Sequence, residues 1–422
     1  YFSYSNTTAK GIIQENELQK NNLTLRQSTD LFMSRLSINS NVSFISQTVY
    51  NRPTSGGYYM NPLVGLYTFP RGKDITEYRD NYEYFDKSRN MPLQNWYTST
   101  LDFEQNPYWI INRILSKENR YRVMASLNSD FRVNSWIKIQ ARGNIDLIND
   151  KYQQQYYAGT AKNLCHDNGR YVDSSNQEMM IYGDVMILLN KKWKNYSLNA
   201  AAGGSYNMHK TNLLKLDSGK AGLYYANVFS IANMILNNQT AYINETRDAK
   251  RNIQSIFGMI QLGWKNLVYA DITARNEWSS TLANTSSKNT GFFYPSIGFS
   301  WIANQAIKLP EWINFYKFRL SWAQVGNDLP IGITSPSPTI TAGGMIKQVQ
   351  YDFDNLRPEI STSWELGMEC KLLSSRINID LTIYRTNTKN QLLYIKTPTG
   401  KYPYKYFNAG KIQNQGDRKS VV

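Results

Sequence analysis

Long stretches of this chain alternate strictly between apolar and polar side chains. Residues 136–146 show the pattern most clearly. Small or apolar side chains occupy Ile137, Ile139, Ala141, Gly143 and Ile145, and polar ones occupy Lys138, Gln140, Arg142, Asn144 and Asp146. Because successive side chains of a β-strand point to opposite faces, this pattern predicts strands with one apolar face and one face in water.

The same alternation returns along most of the chain. Its apolar sets are Leu198, Ala200, Ala202 and Gly204; Val268, Ala270, Ile272 and Ala274; Ile297, Phe299 and Trp301; Phe318, Leu320 and Trp322; Trp364, Leu366, Met368 and Cys370; and Ile377, Ile379, Leu381 and Ile383. The opposite faces carry Lys317, Arg319, Glu365, Glu369, Asp380 and Thr382. A Lys or Arg facing lipid costs about 2 to 4 kcal/mol at the bilayer midplane, so apolar faces without charge favour contact with lipid.

The length of these strands supports the same interpretation. Eleven residues span roughly 36 Å, and a tilt near 45° reduces this to roughly 25 Å, the height of the apolar band of an outer-membrane barrel. Strands of soluble proteins usually stop at about half that length. We therefore expect an all-β fold, an antiparallel transmembrane β-barrel portion with a wet inner face.

Composition excludes several other classes. A hydrophobic content of 41% with 14% aromatic residues excludes disorder. The mean hydropathy is −0.52, and no stretch approaches the roughly 20 apolar residues of a spanning helix. Aromatic residues at predicted strand ends indicate a membrane-interface girdle, with ordinary core aromatics as the alternative; they are Trp136, Trp193, Tyr196, Trp264, Trp301 and Phe315.

The net charge of +15 does not indicate nucleic-acid binding. No basic cluster is interleaved with aromatics, and no zinc-finger or RNA-recognition motif is present. Anionic lipopolysaccharide, acidic substrates and the acidic surface of a partner protein remain possible recipients of this charge. We expect outer-membrane lipid among the partners and no nucleic acid.

Short and long connections alternate along the chain. Short turns are predicted at 133–135, 192–195, 265–266 and 373–375, and long connections at 49–119, 150–178, 207–250, 279–291 and 328–360. Outer-membrane barrels have short periplasmic turns and long extracellular loops. The pattern predicts this arrangement, with about twelve to fourteen strands and no domain boundary.

The two ends of the chain indicate a fragment. The first residues, 1–6, already read as a strand, and residues 417–422 match the translation of a common sequencing adapter. We expect residues 1–416 to be a partial transmembrane barrel without its plug domain and C-terminal closing strands. Residues 417–422 are expected to be a non-native tail.

No motif for catalysis, cofactor binding or a resident metal is present, so we expect no enzyme, no cofactor and no catalytic or metal residue. The triplet Cys165-His166-Asp167 lies in a predicted turn, where adjacent side chains diverge, and is interpreted as structural. Glu365 and Glu369 lie about 13 Å apart on one strand face, too far for an acid–base pair. We expect them to form lumenal charge ladders with Arg319 and Lys371. A cation site or a solvated loop are the alternatives for Asp352, Asp354 and Glu359.

Aromatic residues of the first long loop are the best candidates for ligand contact. Flat rings stack on sugar faces and give large contact area at low entropic cost. The candidates are Tyr58, Tyr59, Trp96, Tyr97 and Trp109. The alternative is that these rings pack the loop itself.

Several segments resemble the SusC/RagA family of TonB-dependent outer-membrane transporters. They are 356–367 (LRPEISTSWELG), 386–393 (TNTKNQLL), 408–414 (NAGKIQN), 318–328 (FRLSWAQVGND) and 293–298 (FYPSIG). The resemblance implies a barrel of about 22 strands with an N-terminal plug, an energising TonB complex reached through that plug region, and a SusD-like surface lipoprotein that covers the barrel. It also implies uptake of oligosaccharides or peptides as nutrients in Bacteroidetes.

The expected function is therefore energy-coupled import across the outer membrane of a Gram-negative cell. Three alternatives remain at this stage: a passive porin or adhesin barrel, an outer-membrane hydrolase barrel, and a soluble all-β carbohydrate-binding protein. The scarcity of histidine, with two residues in the chain, argues against the hydrolase.

Overall fold

The computed structural model is an all-β structure built on one large sheet. It describes residues 1–54, 60–98, 104–236, 241–287, 291–334, 339–340, 346–347, 351–352, 356–396 and 404–421. No helix among these residues is long and apolar enough to cross a membrane.

The strands in the described residues, in chain order, are β1 (Phe2–Lys10), β2 (Glu17–Leu31), β3 (Leu36–Tyr50), β4 (Glu83–Asp86), β5 (Met91–Gln94), β6 (Ile114–Arg132), β7 (Ile137–Tyr156), β8 (Arg170–Trp193), β9 (Tyr196–Asp217), β10 (Tyr242–Trp264), β11 (Val268–Ser279), β12 (Phe292–Ile302), β13 (Ile313–Asn327), β14 (Thr339–Ile340), β15 (Ile346–Lys347), β16 (Tyr351–Asp352), β17 (Glu359–Leu372), β18 (Ile377–Lys396) and β19 (Tyr404–Val421). The helices are α1 (Pro62–Thr68), α2 (Ile75–Asp80) and α3 (Pro107–Arg113), with 3₁₀ turns at Ile231–Asn233, Ser280–Leu282 and Ala303–Gln305.

Fourteen long strands pair antiparallel with their neighbours in chain order, and β16 adds a two-residue parallel pairing to β19. Within the described residues β1 and β19 do not pair with each other, so the sheet is open. The predicted fold class is confirmed, as is the estimate of twelve to fourteen strands. The sheet is part of a barrel wall.

The register places the predicted apolar side chains on one face of the sheet. Ile139 on β7 lies opposite Ile187 on β8, and Ile272 on β11 lies opposite Ile297 on β12. These side chains remain exposed, at 37%, 48%, 46% and 53%. A soluble sandwich buries such rows against a second layer, whereas a lipid-facing wall leaves them exposed to hydrocarbon.

The buried apolar clusters lie instead at one end of the strands. One joins Ile110, Ile114, Tyr156, Cys165 and Val172; a second joins Tyr171, Leu223 and Met234; a third joins Leu282, Phe292, Leu329, Ile333 and Leu356. All three occur where long connections meet strand ends. The buried apolar core of the described residues therefore lies where the long connections pack against the strand ends, and not between two sheets.

The four predicted short turns are confirmed, and a fifth connects β2 to β3 at residues 32–35. This fifth turn contains no Gly, Pro or Asn. Its residues Phe32, Met33 and Ser34 nevertheless adopt positive φ angles of 52°, 55° and 63°. Such conformations are uncommon for these residue types, so sequence gave little indication of the turn.

The second and third long connections are shorter than predicted because the strands beside them continue beyond the apolar band. The connection predicted at 150–178 is reduced to 157–169, and that predicted at 207–250 to 218–241. Above the membrane both faces are in water, so alternation stops while pairing continues. Polar cross-strand pairs hold these extensions, such as Arg120 with Asp150 at 2.7 Å.

Aromatic rings line the short-turn end as predicted. Trp193 lies opposite Tyr196, and Tyr196 lies opposite Trp264, all of them exposed. Lys191 places its ammonium group over the rings of Trp136 and Trp193, at 4.7 and 5.3 Å. Phe315 departs from the prediction, because it lies opposite Lys371 and shares the inner face of β13 with Lys317 and Arg319.

Candidate functional site

The described part of the first long loop, residues 51–54, 60–98 and 104–113, is an ordered substructure at the extracellular end. It contains α1, α2, α3 and the β4–β5 hairpin. Asn61, Asp74 and Asn106 cap the three helices, each accepting a hydrogen bond from the backbone N–H two residues later. Hydrogen bonds from the side chain and the backbone N–H of Thr76 lower the pKa of Asp74.

Asn106 is the centre of this loop. It is fully buried, and its side-chain N–H₂ donates to the carbonyls of Tyr78 and Asn95, both at 2.8 Å. Its backbone N–H donates to the Gln94 side chain at 2.7 Å. Because these bonds join the start of α3 to α2 and to the end of β5, Asn106 fixes the three elements relative to one another.

Two of the predicted ligand aromatics, Trp96 and Tyr97, lie in a compact ring cluster. Their centroids are 4.9 Å apart, and Phe69 packs within 5.4 Å of both. The Tyr97 hydroxyl donates to Glu104, and burial together with this carboxylate raises the pKa of Tyr97 to about 12. Both rings are half-buried.

One polar atom in the ring cluster lacks a partner. The indole N–H of Trp96 is buried and makes no hydrogen bond within the described residues. A buried donor without an acceptor is costly, so this N–H is a candidate contact for a ligand oxygen.

The other three predicted aromatics divide differently. Trp109 is fully buried, and its indole N–H donates to the Thr160 hydroxyl at 3.0 Å. This placement gives Trp109 a supporting role between two loops, because its ring has no exposed surface for a ligand. Tyr58 and Tyr59 lie outside the described residues.

Three loops are fastened to each other. Arg89 of the first loop donates to the Asp167 carbonyl at 2.7 Å and the Asn168 side chain at 3.2 Å. Asn168 in turn donates to the carbonyls of Leu223 and Tyr224 in the next loop, both at 3.1 Å. We call the described parts of loops 51–113, 157–169 and 218–241 the loop crown.

A cleft of about 420 Å³ lies between the loop crown and the inner wall. Arg52 and Glu118 form a 2.9 Å ion pair across it, and the Arg52 side chain is largely exposed. Its lining combines apolar and hydrogen-bonding groups from β3, β6, β7 and the loop; it includes Val49, Met60, Ile110, Ile111, Ser116, Tyr152 and Gln154. Such a mixture suits a ligand with both polar and apolar groups.

Below the cleft, ion pairs follow the inner face of the sheet. Arg122 pairs with Asp146. Arg142 pairs with Asp184 at 2.8 Å, and the Asp184 side chain is fully buried. The predicted charge ladder differs in its partners, because Arg319 reaches Asp380 on β18 at 2.7 Å rather than a glutamate. Gly367 lies between them in the register, which leaves room for the Arg319 side chain to cross β17.

Lys371 and Glu369 lie 3.9 Å apart, as the ladder predicted. Of the candidate cation ligands, Glu359 lies opposite Asn327 in the sheet, and Asp354 lies outside the described residues. Cys165 is buried, with its Sγ 3.7 Å from the Thr160 carbonyl, and burial raises the pKa of its thiol to about 12. Within the described residues no group of His, Cys, Asp and Glu side chains has the geometry of a metal site.

Sequence reasoning did not identify Arg52, Glu118 or Tyr152 as site residues. They are separated by up to 100 positions and meet only because β3, β6 and β7 are neighbours in the sheet. The only sequence feature that could have indicated these site residues was the polarity of the strand residues beyond the apolar band.

Comparison with known proteins identifies the family. The model of the family described as "TonB dependent receptor-like, beta-barrel" matches residues 35–416. In Formosa agariphila, TonB-dependent receptor P26 is 22% identical over 390 residues, covering 81% of this chain and 37% of that relative. TonB-dependent receptor P3 of the same organism is 25% identical over 199 residues, covering 43% of this chain and 18% of the relative. The chain thus matches well under half the length of each.

Solved structures share the fold. The RagAB peptide transporter superposes with a TM-score of 0.73 at 15% identity, covering 100% of this chain and 46% of that chain. The ferripyoverdine receptor of the outer membrane of Pseudomonas aeruginosa gives 0.59 at 11% identity, covering 99% and 48%. The resemblance to TonB-dependent transporters is confirmed, and the chain belongs to the TonB-dependent receptor-like β-barrel family of the outer membrane.

Proposed function

We propose that this chain is the barrel portion of an energy-coupled importer that takes up peptides or oligosaccharides. The observation that carries the proposal is the two-sided sheet, which exposes apolar rows such as Ile139 and Ile187 on one face and ion pairs such as Arg142–Asp184 on the other. A wall of this kind can enclose a wet passage through lipid. No bond is made or broken in such transport.

The proposed partners are a TonB complex, which would supply energy through a plug domain, and a SusD-like surface lipoprotein. Membership of the TonB-dependent receptor family supports the first. The likeness to the RagAB peptide importer supports the second and favours peptides among the cargo classes. Oligosaccharides remain the other proposed class, in line with the half-buried aromatic rings of the first loop.

We place cargo capture in the cleft beneath the loop crown. Its exposed Arg52 offers donors to a carboxylate or hydroxyl group, and Tyr152 with Ile111 offers apolar surface. The cleft opens on the inner face of the sheet at the extracellular end, so a bound ligand would lie at the start of the passage.

The test fills the cleft in cells that carry the complete gene. Ser116 lines the cleft, whereas the exposed Lys117 follows it on the opposite face of β6. We expect Ser116→Trp to reduce uptake about tenfold, the effect of about 1.4 kcal/mol of lost binding, and Lys117→Trp to stay within about twofold. Uptake is measured as depletion of casein peptides or maltooligosaccharides from the medium by mass spectrometry.

Each outcome bears on the proposal. Depletion of one mixture by wild-type cells and its loss in Ser116→Trp supports import through this cleft and names the cargo class. Equal uptake by both variants removes the cleft from the mechanism. If wild-type cells deplete neither mixture beyond a deletion strain, the proposed cargo is wrong.

A further inference from the structure

Two depressions lie one above the other on the lipid-facing side of β6–β10. The lower one is a groove of about 740 Å³ in the apolar band. Its outward-facing lining is Leu127, Ser129, Ala141, Gly143, Gly183, Val185, Gly204, Tyr206, Gln254, Ile256 and Trp278. Its walls are large apolar side chains, of which Ile256 is 64% exposed.

The groove is open to the outside of the sheet, and its floor has almost no side chains. Gly143 on β7 lies directly opposite Gly183 on β8, and Val185 lies opposite Gly204 on β9. A Cβ added at Gly143 would meet no heavy atom within 4 Å, and one at Gly183 would come no closer than 3.7 Å to a neighbour. The space above this floor is therefore open to a ligand and could also accept a larger side chain.

The upper depression is a cleft of about 370 Å³ on the same strands. Its lower part is apolar, with Val123, Leu147 and Met179 in register with one another. Its upper part is polar, with Asn149 opposite Gln177 and Gln177 opposite Asn212. The cleft therefore changes from apolar to polar within one step of the pleat.

This change occurs at the height expected for the membrane surface. Asn149 lies twelve residues above Ile137 at the short-turn end, which corresponds to roughly 28 Å for a strand tilted by 45°. Tyr121, opposite Asn149, is 53% exposed, as is typical of an interfacial aromatic residue. The polar part of the cleft thus lies at the level of lipid headgroups.

A single row of side chains separates the two depressions. It consists of Ala125, Ile145, Ile181 and Met208, which pair in register across four strands. Groove and cleft form one path that is apolar in its lower two thirds and polar at its top. We call this path the lipid track.

Two lysines continue the row of Leu147 and Met179 toward β10, one step of the pleat from the polar row. Lys210 lines the cleft, and the exposed Lys250 lies directly opposite it on β10. Two like charges in this position repel each other unless an anion lies between them. Asp248 pairs with Lys210 at 2.5 Å but is 73% exposed, and Glu178, on the inner face, pairs with His209 at 3.6 Å.

We propose that the lipid track binds one anionic membrane lipid, with an acyl chain in the glycine-floored groove and the phosphate of its headgroup between Lys210 and Lys250. The open glycine floor, the apolar walls and the two lysines beside the polar row match that occupant. Asn149, Gln177 and Asn212 supply hydrogen bonds to the polar head.

The experiment measures lipid retained by the complete protein after purification in mild detergent. Dioleoyl phosphatidylglycerol and dioleoyl phosphatidylcholine, which differ only in the headgroup, are added in equal amounts, and bound lipid is counted by native mass spectrometry. We expect one retained lipid with a preference for phosphatidylglycerol of at least about fivefold, the effect of one lysine near an anionic headgroup.

Two variants and a matched control complete the design. Gly143→Leu should fill the groove and reduce retention of both lipids about tenfold, since a large side chain then occupies the path of the acyl chain. Lys210→Gln with Lys250→Gln should abolish the preference while the groove stays open. Lys191→Gln, at the short-turn end, should change neither quantity.

The outcomes separate clearly. Equal retention of the two lipids by the wild-type protein overturns the proposal, as does unchanged retention in Gly143→Leu. If Gly143→Leu fails to fold, judged by loss of the heat-modifiable band on a gel, the lysine variant alone decides. A preference that survives loss of both lysines then counts against the proposal.

Discussion

Charge placement distinguishes the last residues of β19 from the other predicted strand faces. The register continues past Gly416 and places Asp417 opposite Ile383 and Lys419 opposite Leu381. Both positions belong to the apolar face, where the predicted sets contain no charge. A mutual ion pair at 2.9 Å offsets only part of the cost of placing these charges against lipid.

We propose on this basis that residues 417–422 are not native. The family match also stops at residue 416. The check is to read the gene across codon 416 in independent genomes, and we expect apolar residues in place of Asp417 and Lys419. Recurrence of the same six codons in those genomes would contradict the proposal.

Whole strands were predictable from sequence, but their ends were not. Alternation identified β7, β9, β11 and β18 because the membrane imposes different solvents on their two faces. Above the membrane both faces meet water, so the paired residues at the extracellular ends of β7 and β8 do not alternate between apolar and polar side chains. The loop crown was not predictable either, since contacts such as Arg89 with Asn168 join positions 79 residues apart.

The packing of loop 157–169 predicts that the Cys165 thiol is alkylated slowly. Since burial raises the pKa of Cys165 to about 12 from 9.0, its thiolate fraction at pH 8 is about a thousandfold lower than that of a free cysteine. In a Cys370→Ser background, we expect iodoacetamide labelling to be slowed by about that factor and to accelerate about tenfold per pH unit. The rate is followed by mass spectrometry.

The control for this prediction compares the labelling rates of two variants that each lack one tryptophan of the first loop. Trp109→Ala removes the ring that bonds Thr160 and should speed labelling at least about tenfold, because it frees the Thr160 segment whose carbonyl contacts the Cys165 thiol. Trp96→Ala, in the ring cluster with Phe69, should leave the rate unchanged. Rapid labelling of the folded Cys370→Ser protein at pH 8 would show that the Cys165 thiol is not shielded.

At the scale of the whole molecule, one assignment determines the rest: which face of the sheet meets hydrocarbon. The sequence was sufficient for this, because Ile272 and its neighbours repeat with a period of two. It was not sufficient for the candidate cleft, since no local pattern reports that Arg52 and Glu118 meet across 66 positions. Pairing order, which only the folded sheet provides, brings them together.

A pair of adjacent substitutions tests the assignment. Ile272→Arg places a charge on the lipid face and should cost about 2 to 4 kcal/mol, whereas Thr273→Arg faces water and should cost about 0.5 to 1.5 kcal/mol through its lost bond to Ser296. Folding in outer-membrane fractions is measured by heat-modifiable mobility. Equal losses in the two variants would mean that the faces are wrongly assigned.

The hydrogen bonds from Arg89 to Asn168 and from Asn168 to Leu223 have a practical meaning for protein engineering. A specificity graft that exchanges one extracellular segment with a homologue would leave broken contacts in its two neighbours. All three segments have to be transplanted as a single cassette, and natural diversification of this receptor is subject to the same requirement.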